Sequence, residues 1–225
     1  MGVFKNLLSG LTLQMQLDIL DVFPFIVMLS NVWKIHSSAG ISRNFVGLSC
    51  ISAAIFLITS KNIKGCISSF LKFFLTLLLY FSIKFKYPLK SEKFRDTKWS
   101  LLIIPISIFL SLFTFIDDNF KTFIINIGFW LNSLSIACQV LIIKQSRRIN
   151  LLYGYFPIYF ICKFCYVYLL FNQAFRTTGT EMWFNWLNGV ATMLLSIDLV
   201  YFAYHAKQKD DDFDLPLGQF GAFDY

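Results

Sequence analysis

Long apolar runs separated by short polar clusters dominate the chain. The runs extend over Met15 to Trp33, Phe45 to Ser60, Cys66 to Ile83, Trp99 to Ile116, Thr122 to Ile143, Leu151 to Phe171 and Trp183 to His205. Each is continuous rather than alternating, and most approach the ~20 residues that carry a helix across a bilayer. The pattern predicts an all-α membrane protein with seven transmembrane helices; alternating β-barrel segments are absent from it. The second run is the shortest and the fourth holds Pro105 at its middle, so six spans is the alternative count. Met1 to Leu13 reads as an interfacial lead-in, giving a lead-in over 1–14, a membrane domain over 15–205 and a tail over 206–225. The start lacks the features of a cleaved signal peptide. Gly2 is followed by Asn6 where a myristoylation motif needs Ser or Thr.

Composition agrees with this reading. The 225 residues are 56% hydrophobic and 15% charged, against ~25% charged in a soluble domain, and mean hydropathy is +0.61. Seven spans leave no room for a separate soluble catalytic domain. The net charge of +7 is mostly a topology signal. Thirteen basic residues fall in the odd-numbered loops and the tail: Lys34, Arg43, Lys84, Lys86, Lys90, Lys93, Arg95, Lys98, Lys144, Arg147, Arg148, Lys207 and Lys209. Five fall on the other side: Lys5, Lys61, Lys64, Lys121 and Arg176. The positive-inside bias then places the N-terminus in the lumen and the C-terminus in the cytosol.

Catalytic and metal motifs are missing from the sequence: no glycine-rich phosphate loop, HExxH or GxSxG occurs, and His36 and His205 sit at span ends. With no nucleophile beside a base, the chain is not expected to be an enzyme, to hold a cofactor or metal, or to bind nucleic acid. Cys162 and Cys165 have CxxC spacing, which within an apolar run reads more simply as small packed residues than as redox or metal chemistry.

Polar groups inside the spans are the informative positions, because a charge there costs about 2.5–3.5 kcal/mol unless it faces a partner or a cavity. They are Asp18 and Asp21 in the first run, Lys72 in the third, Asn126, Asn132 and Gln139 in the fifth, Lys163 and Asn172 in the sixth, and Asn185, Asn188 and Asp198 in the seventh. Asn172 and Arg176 are one turn apart, and a guanidinium beside an amide suits a carboxylate. The plainer reading is that Arg176 snorkels to the interface. Asp18 and Asp21 share a helical face near the start of the first helix, where capping and proton coupling are both open. Asp198 lies toward the cytosolic end, within reach of a partner such as Lys34 or of water.

Several stretches match one family in order along the chain. Val32-Trp33-Lys34-Ile35-His36-Ser37-Ser38-Ala39-Gly40-Ile41-Ser42, Lys84-Phe85-Lys86, Phe94-Arg95, Ile104-Pro105, the run from Trp130 to Gln139, Asn172 to Arg176, and Gly189 to Asp198 with Tyr201 and Tyr204 are the matching segments. Together they resemble the KDEL receptors, the ER lumen protein-retaining receptors. The resemblance implies two three-helix bundles joined by a linking helix, as in SWEET and PQ-loop transporters. It implies a multi-pass receptor of the ER and Golgi membranes that binds the C-terminal tetrapeptide (KDEL- or HDEL-like) of escaped ER lumenal proteins and returns them by vesicle-mediated retrograde transport.

Position by position, the resemblance gives Arg176 the acidic end of the peptide, Asn172 and Asn132 places in the pocket, and Asp198 a trafficking role. Lys207 and Lys209 stand in the tail segment that meets the retrograde coat. In a gapless register Asp21 takes the place of the pH-sensing histidine and Gln14 that of the N-terminal arginine; in a register aligned from Met1, Lys5 supplies that arginine. The chain departs from the family elsewhere. Phe56, Leu57 and Thr59 fall on its second-helix arginine, tyrosine and aspartate, Asn132 on its glutamate, Cys165 and Leu169 on two tyrosines, and the tail turns acidic at Asp210, Asp211, Asp212 and Asp214. These losses motivate the alternative of a small-solute transporter of the SWEET or PQ-loop class, with Asn132, Gln139 and Asn188 lining its path.

Overall fold

A computed structural model of the chain describes residues 13–36, 38, 40–60, 63–86, 93–113, 120–146 and 155–211. Among them every regular element is helical: α1 (Leu13–Ile35), α2 (Arg43–Thr59), α3 (Ile63–Phe81), α4 (Lys93–Phe113), α5 (Phe120–Ser146), α6 (Tyr155–Ala174) and α7 (Thr180–Asp211), with one π-helical segment, Ser82–Lys86, prolonging α3. Each apolar run of the sequence falls within a helix as far as the described residues extend. Five helices, α1, α3, α5, α6 and α7, are long and apolar enough to cross a membrane, and α2 and part of α4 are shorter apolar helices. The chain is therefore a multi-pass membrane protein by length and composition.

The surface supports the same conclusion. Phe70, Phe74, Phe109, Phe113, Ile161, Phe164 and Leu194 are all exposed, whereas Ser49, Ser52, Ser69, Thr76, Ser133, Gln139 and Asn188 are buried. An aqueous protein does not turn a contiguous apolar surface outward while burying its polar groups. In lipid that distribution leaves the hydroxyls and amides free to bond across helices.

Packing follows a definite order. α3 lies against both α1 and α2, α7 lies against both α5 and α6, α4 packs on α5 and touches α2, and α2 with α5 and α1 with α6 close the array. Small residues permit the closest approaches. A methyl group on Gly128 of α5 would stand 2.9 Å from the Phe56 ring of α2, and one on Gly189 of α7 would stand 2.7 Å from the Phe171 ring of α6.

The α1–α2 connection is held by its neighbours. His36 follows α1 with φ 53° and Gly40 turns the chain at φ 79°, a left-handed region that glycine enters freely and histidine more often than most side chains. Ser42 then caps α2 by accepting the Phe45 N–H at 3.0 Å. From α5, Gln139 reaches this connection with both ends of its amide: Nε2 donates to the Gly40 carbonyl at 2.6 Å and Oε1 accepts the Ser42 N–H at 2.9 Å.

Candidate functional site

Four ionisable side chains from three helices meet near the middle of the array. Asp18 and Asp21 come from α1, Lys72 from α3 and Lys163 from α6, and α5 adds the amide of Asn132. Helical spacing brings the two aspartates together, since positions three apart share a face. Lys163 is the ninth residue of a 20-residue span and Asn132 the thirteenth of a 25-residue span, so neither side chain is near enough to a helix end to snorkel out.

Asp21 is the hub. Its Oδ1 accepts from Lys163 Nζ at 2.6 Å, and its Oδ2 accepts from Lys72 Nζ at 2.7 Å and Asn132 Nδ2 at 2.8 Å. Asp18 sits one step behind, accepting the Ser69 hydroxyl at 2.6 Å with Lys72 Nζ 3.6 Å from its Oδ1. Lys72 also lies 3.4 Å from Asn132 Oδ1. All five side chains are buried, the aspartates and Lys72 at 1–2% exposure. The capping role open to Asp18 and Asp21 is not what the structure shows: α1 begins at Leu13, more than a turn earlier, and both carboxylates point into the array.

Aromatic rings wall in the cations. Lys72 Nζ lies 5.6 Å from the Phe56 ring centroid, and Lys163 Nζ lies 4.7 Å from that of Tyr166 and 5.6 Å from that of Tyr159, within cation–π range. Apolar packing continues on both sides, with Leu17, Phe56, Trp130 and Leu170 in one cluster and Phe25, Met28, Phe45 and Ile136 in the other. Carried separately, four charges at this depth would cost on the order of 10 kcal/mol. Two aspartates against two lysines bring the formal sum to zero.

Beside the cluster a crevice too narrow for a water molecule runs between helices, lined by Asp21, Pro24, Phe25, Phe45, Ser49, Asn132, Tyr159 and Lys163. A second polar group lies deeper on α5 and α7: Thr192 Oγ1 donates to Ser133 Oγ at 2.7 Å, and Ser133 donates to Asn188 Oδ1 at 3.1 Å.

The sequence-predicted site residues divide accordingly. Asp21 and Asn132 are brought together. Arg176 and Asn172 are not part of that cluster: α6 gives way to a turn after Ala174, Arg176 is exposed in that turn, and Asn172 is half-buried. Eleven residues of helical rise, from Lys163 to Ala174, put that turn roughly 16 Å from the cluster along α6. Lys5 lies outside the described residues. Asp198 is exposed on α7, and among the described residues no ion pair joins it to Lys34. Lys207 and Lys209 occupy the last turns of α7. Lys72 and Lys163, visible in the sequence only as in-span charges, are the cluster members that spacing did not assign.

A scan against protein-family models gave no match, and a search of curated proteins gave none either. Site chemistry therefore carries the functional argument. Among the described residues no group of His, Cys, Asp and Glu is arranged to hold a metal, and Cys162 and Cys165 are both free thiols, one buried and the other exposed. What the cluster offers is a pair of buried ammonium groups, a neutral amide and a carboxylate that already occupies them.

Proposed function

We propose that the chain is a divergent relative of the KDEL receptors: a seven-span receptor of the ER and Golgi membranes that captures proteins through a C-terminal carboxylate-bearing tetrapeptide for retrograde return. The packing order supports the implied scaffold. Within α1–α3 the third helix lies between the first and second, and within α5–α7 the third again lies between the first and second, as in two parallel repeats joined by α4. α2, with 17 residues, reaches about 25 Å, the short end of what spans a bilayer.

The observation that carries the reading is the charge-balanced cluster at the seam of these two halves, where Asp21 and Lys72 of one meet Lys163 and Asn132 of the other. A ligand site at a repeat interface near mid-depth is the usual design of such scaffolds. Lys72 further places a cation over Phe56, the residue that stands where the family resemblance expects an arginine. With the N-terminus of α1 lumenal, Arg176 stands exposed at the lumenal end, where it meets the acidic part of an arriving peptide. Asp198, Lys207 and Lys209 then belong to the cytosolic end and the retrograde coat.

The transporter alternative needs a path out of the opposite end. Gln139 ties the α1–α2 connection to α5 there, and Phe25 stacks on Phe45 at 5.7 Å beneath the cluster, which favours a receptor over a conduit. The test is peptide binding by the full chain in nanodiscs at acidic and neutral pH. Lys-Asp-Glu-Leu with a free C-terminus should bind, its C-terminal amide should bind at least tenfold more weakly, and Arg176→Ala should weaken the free acid. Absence of binding by the free acid, or acid and amide bound alike with Arg176→Ala behaving as wild type, contradicts the proposal.

A further inference from the structure

We infer that Asp21 is an internal stand-in for the ligand's carboxylate, displaced from Lys163 and Asn132 when a carboxylate-bearing ligand binds, and that the displaced Asp21 takes up one proton. The inference rests on the seam cluster as the ligand site and names the chemistry that occupies it.

Three features converge on Asp21 rather than Asp18. First, the donors are divided unequally. Lys163 has Asp21 as its ion-pair partner among the described residues, whereas Lys72 is shared by Asp21 and Asp18. If Asp21 withdraws, Lys72 keeps an anion and Lys163 is left with a vacant, buried ammonium. Second, the crevice touches only one edge of the cluster: Asp21, Asn132 and Lys163 line it, and Asp18, Ser69 and Lys72 do not. The looser packing thus lies beside the one ion pair that can be exchanged without disturbing the other, on the side of Phe25 and Phe45 toward which Asp21 can withdraw. Third, Pro24 lies three residues beyond Asp21 within α1. Its missing N–H removes a helical bond one turn back, at the level of the aspartate, so α1 can bend where Asp21 must move.

Charge conservation sets the coupling. Two aspartates and two lysines sum to zero, and a ligand carboxylate would leave the buried core at minus one, a state that low-dielectric surroundings penalise heavily. One proton from the aqueous phase, added to the displaced Asp21 carboxylate, restores neutrality; the ligand's carboxylate takes the Lys163 and Asn132 hydrogen bonds that Asp21 gives up. The titratable and charged groups facing Asp21 are Asp18 on its own helix, Lys72 on α3, and Lys163, Tyr155, Tyr159, Cys162 and Tyr166 on α6; Asn132 on α5 and Ser49 on α2 are neutral. Asp21 is the carboxyl group freed by ligand binding and so the one to take the proton. Binding is accordingly favoured as pH falls.

A carboxylate can arrive on a peptide C-terminus or as a small free acid, and the experiment separates the two. The full chain in nanodiscs is titrated with Lys-Asp-Glu-Leu and, separately, with succinate between pH 5.5 and 7.5. One proton per ligand makes Kd fall by about tenfold per pH unit of acidification. Asp21→Asn removes the slope while keeping the shape, and Lys163→Gln weakens binding by more than tenfold. Should Asp21→Asn not fold, the neutral pair Asp21→Asn with Lys163→Gln restores charge balance and binds neither probe. Peptide-only binding with the predicted slope supports a receptor site, and succinate-only binding with that slope supports the same exchange in a solute carrier. A wild-type Kd flat with pH, a slope that survives Asp21→Asn, or a charge-neutral pair that binds like wild type overturns the inference. Peptide binding that depends on Arg176 but not on Lys163 overturns it while leaving the receptor proposal standing; no binding of either acid removes both.

Discussion

Asp21 accepts three hydrogen bonds from three helices, which makes the effect of losing any one partner strongly asymmetric. Replacing a buried ion pair as a whole can be nearly neutral, whereas removing one member strands the other and costs about 3–5 kcal/mol. Lys72→Met should therefore lower the melting temperature of the purified protein markedly, because it leaves Asp18 and Asp21 facing each other with Lys163 as the remaining cation. Asp198→Asn, at an exposed carboxyl outside the cluster, should leave the transition in place; equal effects of the two substitutions would mean that the cluster is not a buried ionic core. At this scale the sequence was partly informative. In-span charges are expensive enough that each of Asp18, Asp21, Lys72 and Lys163 stood out alone. Their pairing did not, because it depends on which helices are neighbours. Arg176 shows the converse: its spacing to Asn172 was legible, but not that the end of α6 leaves it exposed in a turn, apart from the cluster.

One helix carries the seam. Along α5, Gly128 accommodates the Phe56 ring and offers its carbonyl to Ser52 at 2.7 Å, Asn132 bonds Asp21, Ser135 lies 3.3 Å from Ser49, and Gln139 clamps the α1–α2 connection. The intervals of four, three and four residues keep all four positions on one face. Gln139→Leu preserves bulk but leaves the Gly40 carbonyl and Ser42 N–H without this partner, at a cost of about 1–3 kcal/mol. The Ser42 amide should then exchange with solvent deuterium at least tenfold faster, with α6 amides unaffected. Unchanged protection would show that the clamp does not hold the connection. Among the described residues the helical character of the apolar runs was legible from sequence alone, since a membrane-spanning segment must satisfy its backbone internally and be continuously apolar; five of the helices are long and apolar enough to span. Boundaries were less so: α7 continues six residues past His205 to Asp211. The polar face of α5 was hidden because glycine, serine and single amides interrupt an apolar run without breaking it.

Over the whole molecule, the +7 excess and the balanced core are separate phenomena. Basic residues concentrated in alternate loops are the signal from which an orientation is expected, while the two buried lysines are balanced by two aspartates. The proposed halves meet along α2 packed on α5 and, at the cluster, through the ion pair between Asp21 of α1 and Lys163 of α6. The most direct test is a double-mutant cycle on that pair, measured as thermal unfolding of the purified chain with Asp21→Asn, Lys163→Gln and both together. The account predicts that each single substitution destabilises more than the double, because the pair removed together leaves Lys72 and Asp18 to balance each other and no unpaired buried charge behind. Destabilisation by the double equal to the sum of the singles would contradict it, and Asp21 and Lys163 would then act as independent groups rather than as a coupled buried pair.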